Sequence, residues 1–311
     1  MIFQERSPEH LATPAKEGFN AGKTIIEHVS NSGHEHPLIR LPHVFGIDFS
    51  VTKHVLMLWL VAAFVFIAVT WVVRRHLRKD QGAPTGAMNA LEAVVLFVRD
   101  RIVAPNVGRK WTDTWTPLIL TFFFFILCAN VVGLIPIFDM LGVVDHWVLH
   151  TGPDSFIRRV LHGGTTATAN FNVTAALATV TFGAIILAGS KAHGFIGHWV
   201  NLVPPGLAWP LYILLIPIEV MGMLVRPFAL TMRLAANMTG GHIAILVILS
   251  FVFIFTEMFG RAIAGIGVGI FVSVPLAVAI SGLEIVVVLV QAYVFTLLSA
   301  VFIGMAIHAH H

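Results

Sequence analysis

The sequence predicts an all-α polytopic membrane protein. About five membrane helices are expected, with an amphipathic surface helix and a long, steeply tilted C-terminal helical hairpin. Three observations predict it. Of 311 residues, 57% are hydrophobic and only 11% are charged, whereas a soluble globular domain is about a quarter charged. Uncharged apolar runs long enough to cross ~30 Å of hydrocarbon recur along the chain. Basic residues collect on one side of successive crossings, which sets topology. The formal net charge is only +3, and its placement beside apolar runs argues against a nucleic-acid footprint. The single cysteine, Cys128, excludes an internal disulfide, and no metal-type cysteine spacing exists.

Residues 1–50 read as an extramembranous arm without the apolar core of a cleavable signal peptide. His28, His34, His36 and His43 on it suit a solvated surface better than a metal site. From residue 51 onward the chain reads as one membrane domain. Val55–Val73 is uncharged for 19 residues and ends in Arg74-Arg75-His76-Leu77-Arg78-Lys79, which places that end in the cytoplasm and the N-terminus outside. Residues 86–104 alternate apolar positions with Glu92, Arg99, Asp100 and Arg101. This is either a short amphipathic helix on the membrane surface or an ordinary connector. Pro117–Phe138 is the second span, Asp139–Thr168 an external loop, and Phe171–Ala188 the third span, ending near Lys191.

Beyond Val200 only six acidic, lysine or arginine residues remain: Glu219, Arg226, Arg233, Glu257, Arg261 and Glu284. The glycine-rich stretch 260–269 marks a turn between arms near 205–258 and 262–308. Each arm is roughly twice as long as the membrane is thick at ~1.5 Å per residue, so the arms must tilt steeply or break at Pro217, Pro227 and Pro275.

Arg233 is the most informative residue. A guanidinium at membrane depth costs roughly 2.5–3.5 kcal/mol on insertion scales, and it does not relieve that cost by losing its proton. Folding the arms antiparallel about residue 262 sets Arg233 opposite Gln291 and Glu284 near His242. Arg233 and Asn237 share a helix face, as do Glu284 and Gln291. Glu and His exchange protons while Arg fixes the field, a combination suited to a proton relay. The plainer alternatives are a protonated Glu284 bridging helices, a structural His242, and an internal Glu219–Arg226 pair. On the residues alone, a self-contained secondary transporter or a membrane scaffold also remain open, although no paired repeats are visible. No phosphate loop, dinucleotide fingerprint or Ser/His/Asp arrangement is present, so no cofactor, metal or catalytic residue is expected.

The run Pro227-Phe-Ala-Leu-Thr-Met-Arg233-Leu-Ala-Ala-Asn237-Met-Thr-Gly-Gly-His242 resembles the arginine signature of subunit a of rotary F-type ATP synthases. Leu283-Glu284 through Gln291-Ala-Tyr293-Val-Phe295 resembles that family's second signature, and Asn170-Phe-Asn172-Val-Thr174 is similar to the start of its third span. The likeness runs from about residue 50 to the end. It implies a proton-translocating stator subunit with two offset half-channels and no catalytic chemistry. Arg233 would deprotonate the carboxylate of each passing c subunit, favouring its ionised form, and would block leakage between the half-channels. Asn237, His242, Glu284 and Gln291 would form the outer relay, with Glu219 near the cytoplasmic side. Asn170, Asn172 and Tyr293 become candidate channel-lining residues. The implied partners are the c-ring, subunit b of the peripheral stalk, the remainder of the complex and the lipid bilayer, with no nucleic acid. The implied location is the bacterial plasma (inner) membrane, the mitochondrial inner membrane being the lesser alternative, with the C-terminus cytoplasmic. Two departures stand out. His242 and Glu284 occupy the mitochondrial-type order rather than the reverse found in many bacterial members, and Asn170 stands where some members carry Asp.

Overall fold

A computed structural model describes residues 52–78, 83–134, 168, 170–200, 209–260 and 262–308. The N-terminal arm with its four histidines, most of the loop 139–168, the segment 135–138 and the terminal residues 309–311 lie outside this set.

Helix α1 (Lys53–Leu77) carries the first apolar run. It ends in Arg74 and Arg75, cations that complement the partial negative charge of a helix C-terminus. It packs lightly on the rest. Met57 and Val61 are buried, while Trp59, Phe66 and Ile67 project outward.

Helix α2 (Ala87–Phe97) begins at Gly86, whose φ of 60° suits a residue without a side chain. No α2 residue is buried, but its surface character stops at Phe97. The chain then widens into a π-helical turn (Val98–Val103) and a short α3 (Ala104–Val107). Val98, Ile102, Val103 and Val107 are all fully buried there, joining the protein core rather than resting on a membrane surface. The exposed side of the turn is charged, and Arg99 reaches Asp113 at 3.1 Å, an exposed pair worth little to stability.

Gly108, at φ 82°, turns the chain into α4 (Arg109–Leu134). This helix starts two turns before Pro117, where the sequence reading begins the second span. Thr112 and Thr116 donate their hydroxyls to carbonyls four residues back through this stretch, and Thr121 donates to the Pro117 carbonyl. α5 (Phe171–His193) is N-capped by the Asn170 side chain, which accepts from the Asn172 N–H at 2.8 Å, and stops at Gly194 with φ 79°. The short α6 (Phe195–Val200) folds back on it.

The C-terminal half is a helical hairpin. α7 (Trp209–Phe259) runs unbroken for 51 residues through both Pro217 and Pro227. Gly260 turns the chain at φ 59° into α8 (Ala262–Val268), a π-helical turn (Gly269–Ser273) and α9 (Val274–Ile307). Pro275 directly follows this π-helical turn, at the second residue of α9. The core lies where α4, α5 and α9 meet, around Ile119, Phe122, Ile126, Ile185, Phe295 and Ile303, with Leu230 and Leu234 of α7 at its edge. Phe122 and Phe295 meet edge to face at 5.6 Å. Among the described residues, five stretches, within α1, α4, α5, α7 and the α8–α9 arm, are long and apolar enough to cross a membrane.

Candidate functional site

The facing sides of α7 and α9 bring the four residues expected of an outer relay into two hydrogen-bonded pairs. Asn237 Nδ2 donates to Gln291 Oε1 at 2.9 Å. His242 Nδ1 and Glu284 Oε1 stand 3.2 Å apart. Glu284 and Gln291 are almost fully buried, at 5% and 4% exposure, and the His242 side chain is partly exposed. A buried carboxyl at apolar depth is tolerable when paired or protonated. The imidazole partner allows either state and links the acid to the less buried edge.

Gly241 creates the space for this pair. A Cβ there would sit 2.9 Å from Glu284 Cδ and collide with its Oε1, so the acid lies directly on bare α7 backbone. The Gly240-Gly241 doublet is the sequence signal for this contact, which the sequence reading does not use.

The pairing differs in register from a fold about residue 262. Gln291 meets Asn237 rather than Arg233, and the two pairs centre the hairpin at 263–264. The π-helical turn Gly269–Ser273, which holds an extra residue in the return arm, is one local cause.

Arg233 lies one turn before Asn237 on the outer side of α7. Its side is exposed, and among the described residues no hydrogen bond or ion pair engages it. Ala229, Ala236 and Gly240, also exposed, surround it at helical spacings of four, three and seven. Small residues there let another helix approach the guanidinium closely.

On the other side of Arg233, the Glu219 carboxylate lies 3.8 Å from Arg226, whose guanidinium also stands 5.7 Å over the Phe302 ring. Both side chains are partly exposed. Acid–base groups therefore occur on α7 to either side of Arg233. Glu219 stands ~21 Å away along the axis and His242 ~14 Å in the opposite sense, at 1.5 Å per residue.

The three candidate lining residues are not gathered with these pairs. Asn170 is engaged as the α5 cap, Asn172 is exposed one position into that helix, and Tyr293 packs its ring 6.1 Å from Phe97. Sequence reasoning missed a buried polar contact nearby. Thr168 donates to Asn130 Oδ1 at 2.6 Å, and both residues are fully buried. Asn130 stands in an otherwise apolar run, which is the signal that marks it. Among the described residues no group of three His, Cys, Asp or Glu side chains is arranged to hold a metal.

The family model described as "ATP synthase A chain" matches residues 55–304. A protein named ATP synthase subunit a 2 from Chlorobium luteolum is 40% identical over 308 residues, covering 96% of this chain and 80% of that protein. ATP synthase subunit a 2 of Prosthecochloris aestuarii is 37% identical over 294 residues, covering 92% of this chain and 80% of its own length. ATP synthase subunit a of Pelodictyon phaeoclathratiforme is 37% identical over 295 residues, with 92% and 76% covered.

Proposed function

The chain belongs to the ATP synthase A chain family, and from that premise we propose that Arg233 is the fixed charge against which a ring of c subunits turns. The protein is a non-catalytic, ion-translocating subunit of the ATP synthase complex. The observation that carries the residue assignment is an exposed guanidinium, unengaged among the described residues, in the middle of an apolar helix and flanked by small residues. Leaving such a charge toward lipid is costly. Facing a passing carboxylate, it stabilises the ionised form and drives its proton to the exit side.

Protons from outside reach the ring through the His242–Glu284 pair, with Asn237 and Gln291 holding the polar surface between that pair and Arg233. Glu219, held near Arg226, serves the opposite half-channel. Arg233 separates the two because a fixed cation repels a proton moving directly between them. Each proton moved down 100 mV delivers ~2.3 kcal/mol, so several must pass for each ATP. The c-ring is the moving partner, and subunit b of the peripheral stalk holds the protein static. The setting is the bacterial plasma membrane, with the N-terminus outside and the C-terminus cytoplasmic.

Arg233→Ala in the native host tests this reading. ATP-driven acidification of inverted membrane vesicles is expected to vanish while the complex still assembles. Undiminished pumping by an assembled complex would overturn the role.

A further inference from the structure

A cleft of about 330 Å³ opens between the basic end of α1 and the start of α2. Its α1 wall is Trp71, Val72, Arg75 and His76, and its α2 side includes Gly86 and Met88. That size lies at the lower end of small-ligand sites, ~300–1,000 Å³. We propose that this cleft binds the phosphate-bearing headgroup of an anionic phospholipid.

The lining divides as such a ligand requires. Arg75 and His76 stand on one side, Val72 and Met88 offer apolar surface, and no carboxylate lines the cleft among the described residues. The Arg75 guanidinium stands 5.1 Å over the Trp71 ring. Stacked this way, it is held in place while its N–H edges stay free to donate to phosphate oxygens in pairs. Arg74 and Arg78 are exposed on the same turns and add to the local positive field. The α2 backbone at the cleft has no side-chain cap and no acid in its first turn, Glu92 lying further along the helix.

Depth selects the ligand class. The cleft sits at the end of an apolar run that reaches Leu77, beside an exposed Trp71, and Trp is enriched where headgroups meet hydrocarbon. Arginine clusters beside a membrane helix attract anionic lipids. A phosphodiester and a free phosphate share the same oxygen chemistry, but only a lipid also uses the apolar surface.

The test uses the intact complex in nanodiscs containing a photoactivatable phosphatidylglycerol, or the matching phosphatidylcholine, followed by peptide mapping. Phosphatidylglycerol is expected to label residues 71–76 and 85–88 several-fold more than phosphatidylcholine. Arg75→Gln should abolish the excess. Arg74→Gln, outside the cleft lining, should retain it, and both complexes are checked for assembly. In the unaltered protein the excess should shrink in high salt but persist in 10 mM inorganic phosphate. Equal labelling by the two lipids, or no response to Arg75→Gln, would overturn the proposal in favour of ordinary annular lipid. Complete displacement by inorganic phosphate would overturn it in favour of a free-phosphate site.

Discussion

The Glu284 carboxyl rests against residue 241, which has no side chain. Gly241→Ala introduces a methyl group against that carboxyl. Overpacking of this kind costs ~1–3 kcal/mol, relieved here by pushing Glu284 away from His242. Proton pumping by an assembled Gly241→Ala complex should therefore fall at least tenfold, measured by vesicle acidification, whereas Gly222→Ala, with open space around it, should pump normally. A second residue-scale prediction concerns His198, outside the spans on α6. It is 4% exposed, and burial, then the charge of His193, holds its pKa below the usual 6.5. The docked form therefore prefers the neutral ring and binds fewer protons than the undocked form. Docking is fully supported above 6.5 and weakens as pH falls from there through the lowered value. The protection factors for hydrogen exchange across residues 195–200, corrected for the intrinsic rate at each pH, should be smaller at pH 5.5 than at 7.5. Equal protection at both pH values would rule this out. The residue scale is also where sequence reading reached furthest. Charged and polar side chains in an apolar run are conspicuous without any coordinates, so Glu284, His242, Asn237 and Gln291 were legible individually. Gly241 was not, because a glycine's value depends on which atom comes to rest against it.

At the scale of elements, the closest crossing joins α9 to the segment before Gly108. A Cβ on Gly304 would collide with the Asn106 backbone carbonyl, and backbone does not yield as a flexible side chain does. Gly304→Ala should lower the thermal stability of the solubilised complex by ~1–3 kcal/mol. Gly183→Ala, in α5 with open space around it, should be neutral or gain up to ~1 kcal/mol in helix propensity. Comparable melting of the two variants would refute the crossing's importance. This crossing also shows what the reading of 86–104 leaves out. Residues 86–104 look amphipathic along the chain, but from Val98 onward the apolar side packs on α4 and on α9, the latter roughly two hundred positions away and invisible to local periodicity. Helix ends show the same limit. Pro117 marks a boundary by propensity alone, while the packing of α4 carries the helix through it.

For the molecule as a whole, the distribution of basic residues predicts that the two ends of the bundle face different compartments. With Cys128 replaced by serine, a cysteine at the exposed Thr85 should react with an impermeant thiol reagent only in inverted vesicles, and one at the exposed Asn172 only in right-side-out cells. Labelling of both from the same side would overturn the orientation. The general plan was readable because a bilayer imposes its thickness on every apolar run, while the hairpin's register was not, since one added residue in a π-helical turn moves every later side chain. The uninterrupted α7 has a consequence for direction. A helix of 51 residues is ~75 Å long, against a hydrocarbon layer of ~30 Å, so most of its length must run sideways. On the proposed reading, Glu219 and His242, ~35 Å apart along it at 1.5 Å per residue, are then separated more around the ring than in depth. A proton falling straight through the voltage would arrive and leave at different bearings, and the detour between them is a tangential displacement that a rotor can use as torque.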